Sequence, residues 1–272
     1  MPTKIEWADE SWNPVTGCTK VDEGCRNCYA ERMSKRLAGR YGYPADDPFR
    51  VTLHPERLDK PLHWKKPRRI FVNSMSDLFH PDVPDAFIDQ VFAVMALASH
   101  HQFMILTKRP KNMMHYLEWE DYDPYETRVD MVNCRTSDFA HTFDEYITPE
   151  GWPLPNVWLG VSVHDQKSAD ERIPILLQTP AAKRFVSYEP ALGAVDFTYL
   201  ENGRSCGLTG WYITPDKTGG GEPDQHQGEK LDLVIMGGES GHGARPTHPD
   251  WARTVRDDCA AAGVPFLFKQ WG

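Results

Sequence analysis

Short apolar runs recur along the chain, and each gives way to a polar stretch. Ile70-Phe71-Val72 leads into Asn73-Ser74-Met75-Ser76-Asp77, and Phe103-Met104-Ile105-Leu106 into Thr107-Lys108-Arg109-Pro110. Val157-Trp158-Leu159-Gly160-Val161 leads into Ser162-Val163-His164-Asp165, and Phe185-Val186 into Ser187-Tyr188-Glu189-Pro190. Leu233-Val234-Ile235-Met236 leads into Gly237-Gly238-Glu239-Ser240, and Pro265-Phe266-Leu267-Phe268 into Lys269-Gln270-Trp271-Gly272. Unbroken apolar runs of about four to six residues suit strands buried on both faces, as in parallel sheets.

Helical patterns lie between the runs. Asp85 to Ser99, behind Pro84, places Phe87, Ile88, Val91, Phe92, Met95 and Leu97-Ala98 on a 3.6-residue rhythm. Asp165 to Leu177 and Pro249 to Ala262 have the same character, and Gly263 stops the last. Strands alternating with helices predict an α/β fold on a parallel sheet, open or barrel-like. In such folds the reactive groups stand where strands end and loops begin. Two stretches break the rhythm: residues 116–155 are acidic and aromatic with little helical periodicity, and residues 196–230 are rich in Gly, Asp and Pro. Both read as insertions into a single domain spanning 1–272.

Composition narrows the class. With 272 residues, 40% hydrophobic and 25% charged, the chain can bury a core without disulfide staples. The longest apolar run, Val91 to Ala98, is far too short for a membrane helix, and the N-terminus leads into acidic residues rather than a signal segment. The expected location is the cytoplasm, with no membrane partner. A net charge of −9 argues against a protein coated for long duplex DNA. The charge is uneven, however: Tyr29 to Ile70 holds eleven Lys/Arg against five Asp/Glu, whereas His115 to Leu154 holds two Arg against ten acids. The run Lys65-Lys66-Pro67-Arg68-Arg69 is the part of the basic stretch best suited to a phosphate-bearing partner.

Three of the six cysteines crowd into eleven residues: Cys18, Cys25 and Cys28, a C-x6-C-x2-C loop. Without a secretory leader, such a cluster reads as metal or redox chemistry before disulfides. Thiolates suit zinc and iron–sulfur centres. A structural zinc normally takes four protein ligands, yet no histidine precedes His54 and the other cysteines are distant. The open readings are an iron–sulfur cluster with one free iron, a zinc with a distant fourth ligand, and unligated thiols.

With these residues in view, the chain resembles the radical S-adenosylmethionine enzymes, in the style of their spore photoproduct lyase-like branch. Ser76-Asp77-Leu78-Phe79-His80-Pro81 is similar to the end of that branch's second strand, and Thr107-Lys108 to the end of its third. Over nearly its whole length apart from the insertions, the chain resembles an uncharacterised, phage-associated three-cysteine family. The similar stretches are Trp12-Asn13-Pro14, Ser74 to Phe79, Leu106 to Pro110, Trp158 to Val163, Gly237 to Gly241 and Phe268 to Gly272. Three features depart from the superfamily pattern. The first cysteine gap is six residues, Asn27 stands where an aromatic usually precedes the last cysteine, and Gly237-Gly238-Glu239 lies on a late strand.

The resemblance implies a radical SAM-like parallel (β/α) partial barrel of about six or seven strands with two loop insertions. It implies that Cys18, Cys25 and Cys28 hold a 4Fe–4S cluster, whose fourth iron takes S-adenosyl-L-methionine. On reduction by an external electron donor, the cofactor is cleaved to a 5′-deoxyadenosyl radical. Lys108 is then the partner for the cofactor's carboxylate, and Ser74, Ser76 and Ser162 are donors to its carboxylate or ribose. Asp77 and Glu189 are acceptors for ribose hydroxyls or the amine, Gly237 and Gly238 let the backbone come close to the cofactor's adenine or methionine, and Glu239 faces the pocket. Arg245 is the candidate contact for an anionic substrate. The substrate stays unidentified, with nucleotides, nucleic acid and peptides as candidates. The competing function is a non-catalytic, zinc- or cluster-stabilised module that docks on a partner protein through the acidic insertion.

Overall fold

The computed structural model of the protein describes residues 5–118, 128–139, 151–201, 203–214 and 224–272. Its strands are β1 (Glu10–Trp12), β2 (Val15–Thr16), β3 (Thr52–Leu53), β4 (Arg69–Val72), β5 (Gln102–Thr107) and β6 (Val157–Val163), followed by β7 (Lys183–Tyr188), β8 (Trp211–Thr214), β9 (Asp224–Gln227), β10 (Leu233–Gly237) and β11 (Phe266–Gln270). Its helices are α1 (Tyr29–Leu37), α2 (Asp85–Leu97), α3 (Pro110–Leu117), α4 (Arg128–Thr136), α5 (Gln166–Gln178) and α6 (Pro249–Ala262).

Seven strands form the main sheet in the order β1-β4-β5-β6-β7-β10-β11. The β1/β4, β4/β5, β7/β10 and β10/β11 pairs are parallel. Among the described residues, no strand is inserted into this sheet out of chain order. Because crossovers between parallel strands are right-handed, a sheet wound in one direction carries its helices on one face. A doubly wound sheet instead reverses at a switch point. This connectivity is that of a parallel (β/α) partial barrel, with β1 and β11 as its end strands. The expected six or seven strands are seven among the described residues, and each of the six apolar runs read as strands lies in or overlaps one of them.

By contacts the chain divides into two compact units, Met1–Leu159 with Thr179–Ala182, and Gly160–Gln178 with Lys183–Gly272. In the first unit, Phe103, Met104 and Ile105 of β5 and Val72 of β4 are almost wholly buried. Each such side chain contributes roughly 1.5–3 kcal/mol of burial. Register matters more for function. Trp12 pairs with Val72, and Val72 with Ile105, so β1, β4 and β5 finish within a residue or two of one level and release their loops at the same edge. Helix α2 buries Phe87, Ile88, Val91, Phe92 and Met95, the rhythm expected from the sequence.

Helix α4 lies in the stretch read as having little helical periodicity. It buries Val129 and Val132, three residues apart, and adds a polar anchor to them. Arg128 is buried, donating from Nη1 to Asp89 Oδ1 at 2.9 Å and from Nε to the Tyr116 carbonyl at 2.8 Å. Its guanidinium lies 4.0 Å from the Tyr116 ring centroid. The remainder of that insertion, residues 119–127 and 140–150, lies outside the described residues.

In the second unit, α5 opens with a reciprocal cap: Asp165 Oδ1 accepts from Ser168 N at 2.8 Å, and Ser168 Oγ accepts from Asp165 N at 3.1 Å. Gly263 ends α6 at φ 66, a left-handed turn that glycine adopts without steric cost. The insertion at 196–230 contains the antiparallel β8/β9 pair; residues 202 and 215–223 lie outside the described residues.

Candidate functional site

The cysteine loop leaves β1 and is pinned over the ends of β4 and β5. Asn73 takes φ 59 directly after β4, a left-handed conformation that Asn tolerates better than most residues. Its Oδ1 accepts from Val15 N at 3.2 Å. That turn sends the following residues back across the loop. Ser74 Oγ donates to Asn13 Oδ1 at 3.2 Å, and Ser76 Oγ to the Val15 carbonyl at 2.9 Å. Gly17 N donates to the Met75 carbonyl and Cys18 N to the Phe49 carbonyl, both at 3.0 Å. Gly17 has φ 84, and a Cβ there would stand 2.1 Å from the Arg50 carbonyl oxygen, so the residue before the first cysteine must be glycine.

Asp77, 5% exposed, is the hub of the site. Its Oδ1 accepts from Thr107 Oγ1 at 2.7 Å and Phe79 N at 3.1 Å. Its Oδ2 accepts from Lys108 N at 3.1 Å and Arg109 Nη1 at 3.0 Å. One carboxylate therefore joins the loop after β4 to the loop after β5. Arg109 carries the link onward: Nη1 lies 3.4 Å from Cys18 Sγ, while Nη2 donates to Thr19 O at 3.0 Å and Thr19 Oγ1 at 2.9 Å.

His80 completes the circuit. Asp82 N donates to its Nδ1, so the neutral ring carries its proton on Nε2 and donates it to Thr19 Oγ1 at 2.8 Å. Burial, with the Arg109 charge, holds His80 below the ordinary histidine range, which favours that neutral form. Thr19 Oγ1 thus accepts twice, and the exposed hydroxyl keeps its own proton for an acceptor outside the network.

The three thiols are free and partly exposed. Burial pushes Cys18 up to about 11, with the Asp77 carboxylate adding to the rise and the Arg109 guanidinium opposing it. Cys25 ends a single 3-10 turn, Glu23–Cys25. Cys28 is the N-cap of α1 and packs against a small core of Ala30, Tyr43 and Met75. Among the described residues, no three His, Cys, Asp or Glu side chains stand close enough together to enclose a metal ion. The donor set nonetheless suits a thiophilic metal: three free sulfurs come from one loop, with a cation already donating to the first.

Of the expected site residues, Ser74, Ser76, Asp77 and Lys108 gather beside the cysteine loop in the first unit. The hydroxyls of Ser74 and Ser76 and the whole Asp77 carboxylate are engaged with their own chain. Arg109 and Thr19 were missed. Arg109 stands in the run Thr107-Lys108-Arg109-Pro110, of which the resemblance points to Lys108 alone. Pro110, at the first position of α3, makes Arg109 the residue that turns off the strand.

Ser162, Glu189, Gly237, Gly238 and Glu239 belong to the second unit. Ser162 Oγ donates to the Glu189 carbonyl at 3.1 Å, and Glu189 Oε1 pairs with Lys269 Nζ at 2.7 Å. Glu239, 5% exposed, takes a forked Arg245 side chain, with Nε to Oε2 at 3.0 Å and Nη2 to Oε1 at 2.5 Å. A Cβ on Gly238 would lie 1.9 Å from the Trp271 carbonyl oxygen, so the space beside Gly238 that was expected to admit the cofactor is filled by the chain's own tail. Arg245, the candidate anion contact, is paired with Glu239. The same unit holds a cavity of about 510 Å³ between the end of α5 and the β8/β9 pair, with Trp211, Tyr212, Arg204 and Gln178 in its wall.

The basic run lies at the far end of β4 from the thiols. Arg69 opens that strand and pairs with Asp9 at 3.2 Å. Arg68 pairs with Glu10 at 2.5 Å and stands 5.2 Å from the Trp64 ring centroid. Lys65 and Lys66 are exposed.

Fold and site together define a parallel (β/α) partial barrel bearing a three-cysteine loop at the carboxyl ends of its first strands. The chain belongs to the family described as protein of unknown function (DUF5131), whose model matches residues 2–272. Comparison with curated proteins finds none that is similar to it. Among solved structures it is similar to a serine-for-cysteine mutant of spore photoproduct lyase, with 11% identity, 98% of this chain and 80% of that chain covered, and a TM-score of 0.46. No described helix is long and apolar enough to cross a membrane.

Proposed function

We propose that the protein is a radical S-adenosylmethionine-type enzyme whose Cys18, Cys25 and Cys28 hold a 4Fe–4S cluster. The observation that carries this reading is the anchoring of a loop of three free thiols at the carboxyl ends of parallel strands by the Asp77–Arg109–Thr19 network. That edge is where βα folds carry their chemistry. When bound and reduced, the cluster would supply the electron that breaks the carbon–sulfur bond of S-adenosyl-L-methionine. The chain's residues would bind and orient. Lys108 offers a cation for the cofactor's carboxylate, and the outward Thr19 hydroxyl offers a donor beside Cys18. Asp77 acts by fixing Lys108 and Arg109 rather than by contacting a ribose. The reading rests on the first unit alone and requires an external electron donor; nucleotides, nucleic acid and peptides remain its candidate substrates.

Anaerobic purification with iron, sulfide and zinc analysis, followed by a dithionite assay for 5′-deoxyadenosine, tests it. About four irons per chain, and nucleoside that disappears in Cys25→Ala, are the expected results. Zinc without iron, with S-adenosyl-L-methionine intact after reduction, refutes it.

One set of observations favours the second reading, a metal-stabilised binding module. In the second unit Glu239, Glu189 and Gly238 are taken up by Arg245, Lys269 and the tail, while the cavity beside β8 and β9 is open. Stoichiometric zinc in the purified protein would select that reading.

A further inference from the structure

The proposed function uses Arg109 to anchor the thiol loop but gives its contact with Cys18 no part in the chemistry. Its side chain is only 12% exposed, an unusual setting for a cation, and it is held at four points. Nη1 reaches Asp77 Oδ2 at 3.0 Å and Cys18 Sγ at 3.4 Å, and Nη2 reaches Thr19 O at 3.0 Å and Thr19 Oγ1 at 2.9 Å. Its backbone is fixed as well, since Arg109 N donates to Thr107 Oγ1 at 2.8 Å, the same hydroxyl that donates to Asp77. A surface arginine covering a strand end would need none of these contacts. A salt bridge serving only to join the two strand loops would stop at Asp77. This guanidinium instead extends past the carboxylate and presents an N–H to a ligand sulfur.

We infer that Arg109 is a positioning residue for the metal centre: it fixes the Cys18 limb of the loop and, through an N–H···S contact, stabilises the reduced form of the bound cluster. The inference rests on the proposed function. One-electron reduction adds a negative charge to a thiolate-ligated cluster, and both hydrogen bonds to its sulfurs and nearby charge set how readily that electron is accepted. A buried cation in contact with one ligand sulfur favours the more negative, reduced state. Asp77 holds the guanidinium in place and Thr19 prevents it from swinging away, so the contact is made before any metal arrives.

The test uses the full-length protein with its cluster reconstituted, in wild-type, Arg109→Gln and Arg109→Lys forms, titrated with dithionite and followed by the electron paramagnetic resonance of the reduced cluster. In Arg109→Gln the ratio of reduced to oxidised cluster at the wild-type midpoint should fall about tenfold, the order expected for losing one hydrogen bond to a charged group. Arg109→Lys keeps the charge and should recover most of that ratio. A Gln variant with the wild-type midpoint, or Gln and Lys variants shifted equally, overturns the inference. Should the Gln variant fail to fold, Arg109→Met and Arg109→Lys make the same comparison. The fork to Thr19 is read separately, as amide exchange over Gly17–Lys20 in the metal-free protein. Exchange should rise in every variant, and wild-type exchange in all of them overturns the anchoring. A wild-type protein that takes up no iron is a different outcome: it removes the proposed function, and the inference with it.

Discussion

Replacing Asp77 by Asn separates a carboxylate that holds the site together from one that waits for a ligand. Asn is nearly isosteric, so the change is electrostatic. The remaining carbonyl oxygen can still accept from Thr107 Oγ1 and Phe79 N, but the new amide would point its own protons at Lys108 N and Arg109 Nη1. Two bonds to an ionised acceptor are lost, each worth about 1.5–3 kcal/mol. Arg109 loses its buried counter-charge while keeping Thr19. Removing one partner of a buried pair costs about 3–5 kcal/mol, and the two routes agree on a loss of about 3–5 kcal/mol. Urea unfolding of the metal-free protein measures it, read as a lower midpoint at unchanged slope. A loss below about 1 kcal/mol would refute the reasoning. It would mean that the four donors do not depend on the charge, and would return Asp77 to the role of a ligand-facing acceptor.

Three further outcomes follow from the same geometry. Arg128→Met should cost about 3 kcal/mol by leaving Asp89 with the Tyr116 hydroxyl but no counter-charge, and adding Asp89→Leu should restore part of it, since burying two charges is itself expensive; urea midpoints of the single and double variants decide. Gly238→Ala drives a Cβ into the Trp271 backbone at 1.9 Å and should cost roughly 2–3 kcal/mol. In a protease time course the C-terminal residues of that variant should be released first, and unaltered cleavage would count against the tail packing. Acidification should weaken the first unit from pH 6.5 downward. Burial lowers His54, His80 and His101 below the ordinary histidine value of 6.5, so between the two values the unfolded chain binds more protons and stability rises with pH. Urea midpoints from pH 7.5 to 5.5 should fall, and a flat profile would remove this assignment.

The fold was legible because its signal is local. Apolar runs such as Val157 to Val161 and the rhythm of Phe87, Ile88, Val91, Phe92 and Met95 report burial directly, and the alternation of the two gives the connectivity. Helix α4 was not legible, because Val129 and Val132 are its only buried apolar side chains and the rest of its attachment is a buried arginine on Asp89 and the Tyr116 ring. The site was half legible. Proximity in sequence singled out the three cysteines, and position at a strand end singled out Asp77 and Lys108. Arg109 and Thr19 acquire meaning only from a contact spanning ninety residues of chain, between Arg109 Nη2 and Thr19. Gly238 stands out in the sequence as a place where a cofactor could come close to the backbone, but no pattern in the sequence could say that residue 271 of the same chain occupies that space.

The placement of Lys65 and Lys66 bears on how the molecule would handle a long polyanion. They precede β4, whereas Asp77 and the thiol loop follow it, and a four-residue strand rising about 3.3 Å per residue stands between. The two arginines beside them are already committed to Glu10 and Asp9. A nucleic acid strand gripped there would be moored at the amino-terminal edge of the sheet. To reach the sulfurs it would have to bend around the first unit, so toward such a strand these lysines would serve as a tether that raises local concentration and not as the wall of a substrate pocket.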